Sequence, residues 1–152
     1  MNVAPNGGKA IWLLTDKLTV KLAGGDTGGT FALVEVVGQP DLGPPPHIHH
    51  RQDECFCIQD GTFEFTYEGK TFTAGPGSVV HLARGKVHSH KAVGVKPARA
   101  LVIYTPAGLE HFLYEAGTPV TDPDVVPAVP AMPAIEKIVG IAAKHGIEVP
   151  QT

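Results

Sequence analysis

The chain is poor in charge, in cysteine and in long apolar stretches. Charged residues make up 18% of its 152 positions, against the roughly 25% usual in soluble proteins. The balance of signs is a mild −3. That leaves no basic footprint for nucleic acid and no polybasic patch for a membrane surface. No apolar run approaches the ~20 residues that a membrane-spanning helix needs. The opening residues MNVAPNGGKAIWLL lack a charged segment followed by a long apolar one, so no targeting signal is expected. Two cysteines occur, Cys55 and Cys57. Two apart on one strand, their side chains point the same way, which disfavours a mutual disulfide. Reduced thiols and a cytoplasmic setting are the expectation.

Glycine and proline are abundant, with 18 and 14 residues. That suits many short strands joined by tight turns better than a helical bundle. The runs AIWLLT, LTVKL, TFALVEVV, CFCIQ, TFEFTYEG, VHSHKAV and ARALVIYTP read as strands. GGDTGG between Gly24 and Gly29 reads as a turn, and Asp60-Gly61 as a hairpin turn. GKTFTAGPGSVVHLARG supplies two further strands around Pro76-Gly77. Helices are expected at Leu109 to Ala116 and at Ile135 to His145, the second stopped by Gly146. The proline-rich segment between them reads as extended. It and the apolar Ile11, Trp12, Leu13 and Leu14 offer surface for wrapping the barrel or exchanging with a second copy. One domain over 1–152 is expected, long enough to bury a real core. It is all-β, a closed or double-sheet barrel, with a helical tail at about 108–147.

The stretch GPPPHIHHRQDECFCIQDG carries the chemistry. His47 and His49 are two apart, so on a strand both face one side, about 6.5–7 Å from each other along the chain. Two such imidazoles can lean onto one ion about 2.0–2.1 Å from each ring nitrogen. Glu54 follows from the next stretch. A further imidazole must come from another strand, and His88 in ARGKVHSH is the candidate. Three imidazoles and a carboxylate suit one divalent transition metal ion: Fe, Mn, Ni, Co, Cu or Zn. The missing thiolate ligand argues against a purely structural zinc site. Glu54 can serve as ligand, as general base, or as both.

These residues resemble the cupin superfamily. Its first motif is Gly, five residues, His-x-His, three or four residues, Glu, six residues, Gly. The sequence matches through His47, His49, Glu54 and Gly61. It departs at Gly43, which only three residues separate from His47. The second motif is Gly, five residues, Pro-x-Gly, two residues, His, three residues, Asn. Gly77, Gly85 and His88 match, while Ala83 and Ala92 stand where Pro and Asn are usual. The resemblance spans about residues 30–104. It implies a cupin-type double-stranded β-helix, or jelly-roll barrel, with His47, His49, Glu54 and His88 holding the metal.

The tail TPAGLEHFLYEAGTPV, with the terminal KHGIEV, is similar to small cupins related to quercetin 2,3-dioxygenase. That resemblance implies a metal-dependent dioxygenase acting with dioxygen on a small hydroxylated aromatic or enol, a flavonol among the candidates. Glu54 would take the substrate's hydroxyl proton. It also implies a homodimer. Two other readings stay open: a non-redox isomerase, epimerase or lyase using the metal as Lewis acid, and a barrel that only binds a small molecule. Among the remaining histidines, His90 shares the face of His88 and is a candidate for the cavity wall. His81 sits on a preceding strand, and His50 points away. His111 and His145 read as solvated. Phe56 and Ile58 should face inward with Glu54, with Cys55 and Cys57 outward. Phe63, Phe65 and Tyr67 form another alternating set; most of these aromatics read as ordinary core, and one or two at the open end would line an apolar pocket beside the metal.

Overall fold

The structure, a computed structural model, describes residues 1–151. Its strands are β1 (Lys9–Leu13), β2 (Asp16–Leu22), β3 (Ala32–Gly38), β4 (His47–His49), β5 (Asp53–Asp60), β6 (Thr62–Tyr67), β7 (Lys70–Ala74), β8 (Val79–Leu82), β9 (Val87–Val93), β10 (Ala98–Thr105), β11 (Thr118–Pro119) and β12 (Ile147–Glu148). Its helices are α1 (Gly24–Thr27), α2 (Leu109–Ala116) and α3 (Met132–Lys144). The strands form two antiparallel sheets, a seven-stranded one in the order β11-β1-β2-β3-β10-β5-β8 and a five-stranded one in the order β12-β4-β9-β6-β7. This is the expected jelly roll with a helical tail.

Period-two alternation builds the core. In β3, Ala32, Val34 and Val36 are buried while the residues between them are not. In β5, Glu54, Phe56 and Ile58 face inward, with Cys55 and Cys57 on the outer face as half-buried free thiols. Phe56, Phe63 and Phe65 meet between the two sheets, with ring centroids 5.1–6.1 Å apart. The rings of Phe63 and Phe65 both stand edge-on to that of Phe56, the arrangement that aromatic quadrupoles favour.

Two turns and one helix start differ from expectation. Asp60-Gly61 does not close a hairpin, because β5 pairs with β10 and β8 whereas β6 pairs with β7 and β9. The chain changes sheets there. Gly61 has φ +69°, and a Cβ on it would approach the backbone of Pro97 and Ala98 to 2.9 Å. The hairpin turn lies instead at Glu68-Gly69, where both residues have positive φ, as a tight two-residue connection requires. GGDTGG holds the one-turn helix α1 rather than a bare turn. α3 starts three residues before Ile135, at Met132, with Pro133 in the first turn, where the missing N–H of proline does no harm. Gly146, at φ +77°, ends it as expected.

The tail is fastened to the barrel. Glu110 is 1% exposed. Its carboxylate accepts from the backbone N–H of Gly24 and of Gly108, both at 2.6 Å. That pins α2 against the loop after β2. Beyond α3, β12 adds to the five-stranded sheet beside β4, with Ile147 opposite His49. His50 Nε2 meets Glu148 Oε2 at 2.8 Å across the same pair. The apolar β1 pairs within the chain with β11.

Phe56→Ala should therefore cost about 3–5 kcal/mol of stability, read as a fall in the urea midpoint at unchanged slope. A loss below about 1 kcal/mol would mean that the aromatic cluster is not the centre of the core.

Candidate metal centre

Four side chains from three strands meet inside the barrel. β4 presents His47 and His49 on its inner face, with Ile48 on the other. β9 runs antiparallel beside β4 and sets His88 directly opposite His47. Glu54 comes from β5 in the facing sheet, so the cluster bridges the two layers. The imidazole centroids lie 4.9 Å apart for His47 and His49, 4.5 Å for His47 and His88, and 5.4 Å for His49 and His88. Glu54 Oε2 is 2.7 Å from His88 Nε2 and 3.6 Å from His49 Nε2. One ligand atom from each residue lies within 4.8 Å of all the others. Donors about 2.1 Å from one ion stand about 3.0–4.2 Å apart, so the cluster has the dimensions of a coordination sphere.

Hydrogen bonding points the same way. His47 Nδ1 donates to the carbonyl of Pro45 at 2.8 Å, and His88 Nδ1 to that of Lys86 at 3.3 Å. With Nδ1 turned to a carbonyl, each ring presents Nε2 to the interior. Outer partners of this kind are what orient metal-binding imidazoles. His88 Nε2 stands 2.7 Å from Glu54 Oε2, so the two ligand atoms share one focus. Five of the six buried side-chain atoms without a partner among the described residues belong to Asp16, His49, Glu54 and His90. Native cores leave few such atoms unpaired. Their gathering here fits a site built to hold something.

Electrostatics leave the ligand set ready for a cation. Burial, with the like charges of His49 and His88, pulls the His47 pKa down to about 3. Burial also lowers His49 against the opposing pull of Glu54. Burial alone would raise Glu54, but His49, the close approach of His88 and the charge of His47 outweigh it and hold the carboxyl below its usual range. At neutral pH, His47 and His49 are therefore neutral and Glu54 ionised. Bound metals need deprotonated ligands. The residues fit a divalent transition ion.

The cavity beside the cluster is lined by His47, His49, Glu54, His90, Tyr104 and Asp16 on its floor. Leu109, Phe112 and Leu113 of α2, Ile138 and Val139 of α3, and Leu13 and Leu18 form its apolar walls. Phe56, Phe63 and Phe65 are core, in line with the expectation for most of these aromatics, and none of the three lines the cavity. His90 does line the cavity. His81 faces outward and is exposed, opposite Cys55. His50 is exposed and holds Glu148. His145 is not simply solvated, since it meets Glu115 at 3.0 Å. Gly43, out of step with the motif spacing, is still needed: a Cβ there would collide with the carbonyl oxygen of His90.

Tyr104 and Asp16 were not among the expected site residues. Tyr104 stands opposite Glu54 in the β10–β5 ladder. Burial, then the charge and hydrogen bond of Glu54, push its phenol well above the usual value, so it stays protonated. A signal existed for it: the inward face of β10 is otherwise Ala98, Ala100 and Val102, and a phenol there needs a polar partner. Asp16 gave no signal, since it stands between two strand-like runs like any turn residue.

Residues 34–104 match the family model described as a cupin domain. No curated protein matches the chain. Among solved structures, a predicted oxalate decarboxylase from Thermotoga maritima superposes with a TM-score of 0.65 at 17% identity, covering 70% of this chain and 99% of that one. The polyketide cyclase RemF from Streptomyces resistomycificus gives 0.62 at 21%, covering 69% and 78%. KdgF from Halomonas sp. gives 0.59 at 16%, covering 66% and 89%. Likenesses at this identity speak for the fold.

A divalent transition ion at about 100 times its dissociation constant should stabilise the chain by about 2.7 kcal/mol, a rise in melting midpoint of about 5–10 °C for this size. A chelator should reverse it. His88→Ala should abolish the rise, and His81→Ala, on the outer face, should keep it. An equal rise in His88→Ala would place the ion elsewhere.

Proposed function

We propose that this chain, whose residues 34–104 match the cupin domain model, is a metal-dependent dioxygenase of the cupin type acting on a small hydroxylated aromatic or enol. One observation carries the reading. A carboxylate held among three imidazoles forms the floor of a cavity whose walls are almost wholly apolar. A flat organic molecule fits such walls, and its reacting hydroxyl fits such a floor. A redox-capable ion held by His47, His49, Glu54 and His88 would supply Lewis acidity and a place for dioxygen to meet an electron-rich substrate.

The chain's own residues have definable parts. Glu54, kept ionised, is placed to accept the proton of a substrate hydroxyl, as ligand and base together or in turn. The phenol of Tyr104, protonated beside Glu54, can donate to that carboxylate and fix its orientation. Leu109, Phe112 and Leu113 exclude water and favour a ring over a sugar or a small acid. The structural neighbours include a polyketide cyclase, which keeps a non-redox use of the same cavity as the second reading. The small Glu54–imidazole floor serves either chemistry, because proton abstraction comes first in both.

An oxygen electrode decides between them. Metal-loaded protein given flavonols and simpler enols should consume dioxygen in step with substrate. Glu54→Gln should slow this by a factor of about 100 or more, the scale of a lost general base. Substrate turnover that continues without dioxygen would establish the Lewis-acid reading in its place.

A further inference from the structure

The cavity holds a second polar anchor, separate from the four-residue cluster. Asp16, the first residue of β2, is 7% exposed. His90 lies on β9, two residues beyond His88 on the same face. The two approach at 3.4 Å, His90 Nε2 to Asp16 Oδ2. Among the described residues, neither ring nitrogen of His90 nor Oδ1 of Asp16 has a hydrogen-bond partner. The His90 ring is held by Phe56, Phe63 and Phe65, with centroids 5.2, 6.0 and 6.4 Å away. It therefore cannot swing out to water. Both residues line the cavity that also contains Glu54.

Unpaired buried polar groups are costly, typically about 1–3 kcal/mol each. Three such atoms, fixed by packing at the cavity wall, are therefore placed for an incoming partner. The inventory of that partner follows from the atoms. A carboxyl group offers acceptors, and an imidazole offers at least one N–H donor. A hydroxyl satisfies both residues at once, donating to Asp16 and accepting from His90.

The geometry points to Asp16 and His90 as the specificity-determining anchor for a second hydroxyl of the substrate, besides the one at Glu54. The substrate class is then a flat molecule with two hydroxyls. This rests on the reading of the cavity as the substrate site and adds the class of substrate that it selects.

The test is a fluorescence titration with naphthol and with a panel of dihydroxynaphthalene isomers. It is run on the protein with and without zinc, a redox-silent ion. At least one dihydroxy isomer should bind wild type about 10-fold or more tightly than naphthol, the scale of a hydrogen bond to a charged group. Asp16→Leu and His90→Leu should each bring that isomer within about twofold of naphthol. Thermal unfolding of each variant checks that the fold is kept. Asp16→Asn should restore part of the preference. Zinc content of the same samples reports on the four-residue cluster separately. No preference in wild type, no binding of either probe, or a preference that survives both leucine variants would overturn the assignment.

Discussion

A carboxylate buried among three imidazoles is the constraint on which the rest of this structure depends. An ionised carboxyl taken out of water is very costly unless a positive charge meets it. Glu54 is 3% exposed and has His88 Nε2 at 2.7 Å. Burial depresses the basicity of His47 and His49, so these rings cannot readily carry the compensating proton. A divalent cation would resolve the conflict: it would neutralise Glu54 and join the four side chains into a single bonded unit. The pairing of β4 with β9, and the closure of one sheet over the other, exist in a geometry that keeps these four groups within reach of one ion.

The tail turns that ion site into a chamber. Without α2 and α3 the cluster would open at the barrel mouth. Glu110, tied to the backbone of Gly24 and Gly108, holds α2 so that Leu109, Phe112 and Leu113 face inward. β12 hydrogen-bonds to the strand that carries His47 and His49. Closing the chamber and ordering the ligand strand are thus one packing event. Water exclusion strengthens every electrostatic interaction inside, which is why Glu54, Tyr104 and the Asp16–His90 pair can act at short range.

What could be read from the sequence was what short-range rules govern. Period two placed His47 with His49, and Glu54 with Phe56 and Ile58. The spacing to Gly85 and His88 completed the ligand set, and helical periodicity found Leu109–Ala116 residue for residue. What could not be read depended on which strands pair. Asp60-Gly61 looks like a hairpin turn, but Ile58 and Phe63 belong to different sheets, and no local rule tells a sheet change from a hairpin. Tyr104 acquires its role from the register that sets it opposite Glu54. Asp16 acquires its own from a histidine 74 positions later in the sequence. The cavity walls come largely from the tail, which the strand pattern does not announce.

The most direct test of the central claim is X-ray absorption on the purified, metal-loaded protein, which reads the ligands of the ion itself. The account predicts a first shell of nitrogen and oxygen at about 2.0–2.2 Å. Outer-shell scattering should correspond to three imidazoles, and to two in His49→Ala. A shell containing sulfur would contradict it, because Cys55 and Cys57 face away from the cluster. So would a shell of water oxygens without imidazole scattering.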